Sequence, residues 1–128
     1  MSQTQITNDM TMEQAATLFK ALGDPNRLKI LDLLMQGDSC NCELKDKLGL
    51  PPNLLSHHLG VLRKTGLVNS RRDAIDSRWI YYAVDPTTAA GWCDWFHQFL
   101  NPERLQPRQM LCGPEGQLVE EYVAVSAA

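Results

Sequence analysis

The sequence has no run of eighteen apolar residues, and its first ten residues contain neither a basic region nor an apolar core. A membrane-spanning helix needs about 20 apolar residues, and a signal peptide needs both of those missing features. We therefore expect a cytoplasmic protein with no membrane contact. The sequence also lacks paired carboxylates, a Ser/His/Asp set and a glycine-rich phosphate loop, so nothing in it predicts an enzyme.

The composition is that of one ordinary globular domain with few cysteines. Hydrophobic residues make up 44% of the 128-residue chain and charged residues 21%, which is enough for a single hydrophobic core. There are only four cysteines. In a cytoplasmic chain, so small a number is more typical of metal ligands or redox thiols than of a disulfide framework.

Positive charge is scarce overall but concentrated in one segment. The chain carries a net charge of −3, yet residues 45–78 contain seven Lys or Arg against three acids, giving +4. The rest of the chain therefore carries −7. Because a phosphate backbone meets only the local field, this segment is a candidate nucleic-acid surface, although a solvated basic face explains the same counts equally well.

Residues 40–68 have the pattern of two short helices separated by a tight break. The spacing of the leucines predicts helices over 43–48 and 53–64. Gly49 favours a left-handed helix end, and the two prolines that follow it favour a new helix start. A short helix, a turn and a second helix carrying small polar and basic residues are typical of a helix-turn-helix.

Apolar periodicity predicts two helices before this pair, then a hairpin and one more helix after it. The predicted elements are helices at 12–22 and 26–35, strands at 67–73 and 78–84, and a helix at 85–100. The second helix is expected to bury Leu28, Ile30, Leu31, Leu33 and Leu34. A hairpin directly after a recognition helix is a wing. The predicted fold is therefore mainly α with a small β-hairpin, a winged helix-turn-helix.

The outer segments predict the organisation of the chain. Aromatic residues on the first and last helices (Phe19, Trp95, Phe96 and Phe99) favour a symmetric dimer that presents two reading heads. We expect a flexible arm at 1–10, a winged-helix DNA-binding and dimerisation domain at 11–100, and a loosely ordered tail at 101–128.

Three segments, KALGDPNRLKILDLL, SHHLGVLRKTGLV and SRWIYYAVD, occur in this order and resemble the ArsR/SmtB family of metal-responsive repressors. The resemblance covers about residues 12–100. It implies an αααα-wing-α winged-helix homodimer that binds double-stranded operator DNA when free of ligand and leaves it when metal binds. It also implies that Pro52 to Lys64 is the recognition helix.

The resemblance further implies which side chains meet the DNA. Ser56, His57 and His58 match positions at the DNA in this family, and Arg72 and Arg78 match the wing. Serine and histidine on a groove-inserted helix reach base edges or phosphates, whereas arginines outside the groove position the protein. The two histidines are also compatible with an ordinary surface or capping role. The candidate DNA-binding residues are Pro52, Asn53, Ser56, His57, His58, Arg63, Lys64, Arg72 and Arg78.

Cys40 and Cys42 form a C-x-C pair just before the first helix of the helix-turn-helix. In the arsenic-sensing branch of the family, ligands lie in a C-V-C-D-L pattern, which here reads Cys-Asn-Cys-Glu-Leu. Some arsenic sensors have a third cysteine three residues later, where this chain has Lys45. The resemblance therefore implies an arsenite or antimonite site with two of its three thiolates assigned.

Two other cysteines compete for the third position. Cys112 lies in the predicted tail and is our candidate third metal ligand, whereas Cys93, between two tryptophans, is expected to be buried and inert. The family's other metal site, on the last helix, is suited to zinc. Only Asp94 and His97 are present for it here, so we expect no metal at that helix.

These features predict a repressor released from operator DNA by arsenite or antimonite. The alternative is the same DNA-binding repressor sensing a soft divalent metal (Cd, Pb or Zn) or a thiol-redox signal on the same cysteines. Two further classes fit less well. A thiol oxidoreductase would place its cysteines in a βαβ context, and a metal buffer would have no use for a basic recognition helix.

Overall fold

The computed structural model describes residues 10–107 and 112–113. Its elements are α1 (Met12–Leu22), α2 (Pro25–Met35), β1 (Ser39–Cys40), α3 (Asn41–Leu48), α4 (Pro52–Lys64), β2 (Val68–Arg72), β3 (Ile80–Val84), α5 (Pro86–Phe99) and a 3-10 helix (Pro102–Arg104). Within the described residues, no helix combines the length and apolar character that a membrane crossing requires. Most of the predicted arm and tail lies outside these residues.

Side-chain hydrogen bonds cap the N-termini of the first two helices. At α1, the Gln14 N–H donates to Thr11 Oγ1 at 3.1 Å and the Thr11 N–H donates to Gln14 Oε1 at 2.9 Å, which together form a capping box. At α2, the Asp24 carboxylate accepts the N–H groups of Asn26 and Arg27. These caps satisfy backbone donors that have no partner inside the helix, so both helices begin within one residue of the predicted position.

The helix-turn-helix consists of α3 and α4. The α3 helix begins two residues earlier than predicted, because Cys40 Sγ accepts the Glu43 N–H at 3.4 Å and so caps it. Gly49 ends α3 with a φ of 65°, in the left-handed region that only glycine enters without strain. The α4 helix then starts at Pro52, where a proline costs no hydrogen bond.

The wing belongs to a three-stranded antiparallel sheet with the order β1-β3-β2. Val68 pairs with Val84 and Arg72 with Ile80, as expected for the predicted hairpin. The β1 strand was not predicted. It pairs Ser39 with Tyr82 and Cys40 with Tyr81, and so joins the first thiol directly to the wing.

The chain divides into two compact units, Met1–Trp95 and Phe96–Ala128. One cluster of buried side chains stabilises the first unit. Its members come from α2, α3, α4 and the hairpin: Ile30, Leu34, Leu44, Leu55, Leu59, Leu62, Val68 and Tyr82. The prediction that Leu28 is buried is wrong, since this side chain is half exposed. Two positions correspond to more than half a helical turn, so Leu28 faces away from the side of α2 that carries the buried Ile30.

The outer helices contribute a second apolar contact. The Trp95 ring on α5 is buried, and its centroid lies 6.2 Å from that of Phe19 on α1. Trp95, predicted to lie in a dimer interface, therefore belongs to the core of a single chain. Phe96, in the second unit (Phe96–Ala128), retains an exposed surface, as does Phe99.

Candidate nucleic-acid interface and thiol site

The α4 helix presents a polar face opposite its buried leucines. Leu55, Leu59 and Leu62 are buried, four and three residues apart, as a single apolar stripe. The candidate DNA-binding residues Pro52, Asn53, Ser56, His57, Arg63 and Lys64 are all exposed. Two of them are basic and end the helix, so this face has both hydrogen-bonding groups and positive charge.

His58, a predicted DNA contact, does not lie on this exposed face. Its side chain is only 5% exposed, and its Nδ1 lies 3.1 Å from the Nη1 of Arg27 on α2. Because a guanidinium has only donors, Nδ1 is the acceptor in this pair. Arg27 Nε also donates to the Ala21 carbonyl, so His58 attaches α4 to the corner between α1 and α2. The spacing could have shown this, because His58 lies three residues after Leu55 on the buried stripe.

Both arginines predicted on the wing are exposed, and both also hold the wing turn. Arg72 Nη1 donates to the Ser77 carbonyl at 2.7 Å. Arg78 binds both oxygens of Asp76, Nε to Oδ1 at 3.0 Å and Nη2 to Oδ2 at 2.7 Å. The hydrogen bonds from Arg78 lower the pKa of Asp76 and raise the pKa of Arg78 itself, so both groups stay charged.

A second cluster, on the hairpin beside the wing turn, was not predicted. The Arg71 guanidinium lies 4.5 Å from the centre of the Tyr81 ring, and the Tyr81 hydroxyl donates to Asp73 Oδ1 at 3.2 Å. Burial, followed by the negative charge of Asp73, raises the pKa of Tyr81. Tyr81 therefore connects a basic wing residue with the strand position opposite Cys40.

The two candidate thiols differ in their surroundings. Cys40 is 7% exposed, and besides accepting the Glu43 N–H its Sγ lies 3.7 Å from Glu43 Oε1. Cys42 is exposed in the first turn of α3. Asn41 lies between them in sequence, and its Oδ1 is buried without a hydrogen-bond partner in the part of the chain that the structure describes. A buried sulfur next to an exposed one leaves the pair accessible from one side.

Neither remaining cysteine completes a metal site in the structure. Among residues 10–107 and 112–113, no group of three His, Cys, Asp or Glu side chains is arranged to hold a metal ion. Cys112 is exposed. The prediction that Cys93 is buried is wrong, since it is exposed as well. It lies two positions before the buried Trp95, and so on another side of α5.

Comparisons with known proteins agree with this geometry. The sequence profile described as "Bacterial regulatory protein, arsR family" matches residues 24–70. An uncharacterized HTH-type transcriptional regulator of Methanocaldococcus jannaschii is 47% identical over 74 residues, or 57% of this chain and 81% of that protein. The transcriptional repressor SdpR of Bacillus subtilis is 32% identical over 66% of this chain and 90% of its own length. An arsenical resistance operon repressor of Staphylococcus xylosus is 39% identical over 50% and 62%.

Solved structures share the fold. NolR from Sinorhizobium fredii superimposes with a TM-score of 0.55 at 34% identity and covers 69% of this chain and 85% of its own. A homodimeric winged helix-turn-helix DNA-binding domain from Mycobacterium bovis gives a TM-score of 0.56 at 28% identity, with 79% and 90% covered. The relatives from Methanocaldococcus jannaschii and Bacillus subtilis are a transcriptional regulator and a transcriptional repressor, and the family profile covers the helix-turn-helix of this chain. The chain therefore belongs to the ArsR family of bacterial regulatory proteins.

Proposed function

We propose that this protein is a repressor that binds operator DNA as a homodimer through α4 and the wing. Arsenite or antimonite binding to Cys40 and Cys42 then releases it. Residues 11–100 form the DNA-binding and dimerisation domain in this proposal. The exposed polar face of α4 would lie in the major groove, with Arg72 and Arg78 near the phosphates. Support for the dimer comes from the homodimeric Mycobacterium bovis domain.

The observation that carries the proposal is the double role of Cys40. Its sulfur caps α3, and its backbone pairs with Tyr81 in β3. A thiolate bound to arsenic is drawn towards the second thiolate, away from the Glu43 N–H. The start of α3 then loses its cap, and α3 packs directly against α4 through the buried Leu44.

A second connection runs through the sheet. Cys40 is one of only two residues in β1, so a displacement of its sulfur strains the pairing with β3. In β3, Tyr81 holds Asp73 by a hydrogen bond and lies under Arg71. Metal binding at one position thus alters both DNA-contacting elements, α4 and the wing. A ligand that favours the altered conformation by about 1–3 kcal/mol lowers operator affinity roughly five- to 150-fold.

A soft divalent metal is the second candidate inducer. The Glu43 carboxylate offers an oxygen ligand beside one of the two sulfurs, that of Cys40. Cys42 would have to join them on binding, because within the described residues these three side chains are not arranged as a metal site in the free protein. Cd, Pb and Zn accept an oxygen ligand beside sulfur, whereas trivalent arsenic and antimony favour thiolates. Cys112 is the candidate third ligand in the arsenite version of the site, and its removal distinguishes the two versions.

The test measures DNA release from fragments taken upstream of the protein's own gene. We expect Cys40→Ser and Cys42→Ser to retain operator binding and lose release by arsenite, whereas Cys93→Ser responds as wild type. Cys112→Ser gives an intermediate response if this thiol is a ligand. If the Cys40→Ser, Cys42→Ser double variant still dissociates at wild-type arsenite concentrations, the sensor site lies elsewhere.

A further inference from the structure

The residue between the two thiols carries an acceptor that the free protein does not use. Asn41 Oδ1 is buried and has no hydrogen-bond partner within the described residues. Asn41 does not cap α3, because Cys40 does so. The arsenic-sensing pattern that this segment resembles has valine at this position, which has no acceptor to leave unpaired. An unpaired buried acceptor is costly, so it points to a ligand that supplies a donor.

The chemistry of a two-thiol site supplies such a donor. Arsenous acid has three hydroxyl groups, and two of them leave as water when two thiols form As–S bonds. Each leaving hydroxyl takes the proton of one thiol, so the products are a dithiolate of arsenic with one remaining hydroxyl and two waters. That hydroxyl has one O–H, which needs an acceptor in a partly buried site.

We propose that Asn41 Oδ1 accepts the hydrogen bond of this remaining hydroxyl, and so makes the site specific for trivalent oxyacids held by two thiolates. The inference rests on the proposed function, since it assumes that Cys40 and Cys42 bind the inducer. Asn41 lies between them in sequence and is the first residue of the helix that Cys40 caps. In this form of the site the hydroxyl takes the third position on arsenic, which Cys112 would otherwise fill.

Glu43 is the competing acceptor. Its Oε1 lies 3.7 Å from Cys40 Sγ, and the carboxylate is free to accept a new donor once the thiol proton has left. Glu43 is, however, exposed to water, so a hydrogen bond to it gains little over its hydration. Asn41 Oδ1 is buried, and the new hydrogen bond pairs an acceptor that has no partner within the described residues.

A pair of arsenicals tests the proposal. Phenylarsine oxide also takes two thiolates, but a phenyl carbon stands where arsenous acid keeps its hydroxyl. Asn41→Leu has nearly the same size and no acceptor. We expect it to raise the arsenite concentration for half-maximal operator release about tenfold and to leave the phenylarsine oxide value unchanged. Direct titration, followed by the ultraviolet absorption of arsenic–thiolate bonds, should show the same selective shift without DNA.

Two control variants separate the possible failures. Cys42→Ser should lose the response to both arsenicals; if it responds normally to both, the proposed function itself fails. Glu43→Gln should leave the ratio of the two responses unchanged. A selective arsenite loss in Glu43→Gln but not in Asn41→Leu would assign the hydroxyl to Glu43 and overturn the proposal. Equal shifts for both arsenicals in Asn41→Leu, or no shift, would overturn it as well.

Discussion

Two adjacent histidines on α4 show how strongly a single position on a helix determines a role. His57 is exposed among the candidate DNA-binding residues, and His58 is buried beside Arg27. Their rings lie 5.4 Å apart, but they face different surroundings, because successive helix residues are about 100° apart. The first histidine can meet a base edge. The second holds the recognition helix against α2.

Substituting each histidine should therefore affect different measurements. We expect His57→Ala to lower operator affinity by about 1–3 kcal/mol, with a smaller loss on random DNA and little change in the free energy of unfolding. His58→Ala should instead lower the free energy of unfolding by about 1–3 kcal/mol, because it leaves Arg27 without its partner. Denaturant melts and anisotropy titrations check both. A stable His58→Ala protein with selective operator loss would return His58 to the DNA interface.

The same comparison shows what residue patterns can and cannot predict. The spacing of Leu55, Leu59 and Leu62 predicted the buried face of α4, and counting three residues onward from Leu55 would have placed His58 on it. The partner, Arg27, is 31 positions away. No local pattern predicts that contact. The sequence also cannot predict that the Asn41 oxygen is unpaired, because whether a polar atom finds a hydrogen-bond partner depends on the packing around it.

Local sequence signals predicted most boundaries of the helices and strands. Proline starts and glycine ends act on their own helix, so the predicted helices and strands begin and end within two residues of the observed ones. The exceptions are β1 and the 3-10 helix at Pro102–Arg104, which lies in the segment predicted as a loosely ordered tail. A two-residue strand is too short to show alternation, and it exists because it pairs with β3, some forty residues later. This missed strand is also what connects Cys40 to the wing.

Arg78 on the wing has two possible functions, which are to contact a DNA phosphate and to hold the wing turn. In the structure it binds Asp76 in an exposed ion pair, which contributes little to stability. If Arg78 contacts a phosphate, Arg78→Ala should weaken binding to all DNA sequences and lower the salt slope by about one unit. Asp76→Ala removes the same ion pair and keeps the cation, so it should not lower the slope. Equal effects of both variants would show that Arg78 acts only by holding the turn.

For the whole molecule, the distribution of charge matters more than its sum. A chain with a net charge of −3 is repelled by DNA on average, yet residues 45–78 carry +4 and include α4 and most of the hairpin. The acidic remainder favours binding in one orientation, with the wing and recognition helix towards the phosphates. A dimer doubles this local field and sets the spacing of two half-sites.

We expect the dimer interface to include α1. Met12 on this helix is 61% exposed, and Met35 at the end of α2 is 65% exposed. Burying a methionine at an interface stabilises it by about 1.5–3 kcal/mol, and a two-fold interface contains each residue twice. We therefore expect wild type to sediment as a dimer at micromolar concentration, and Met12→Glu to weaken dimerisation at least about tenfold. Met35→Glu, matched in residue type and exposure, should leave the dimer intact. A wild-type monomer at this concentration, or equal weakening by both substitutions, would exclude an interface through α1.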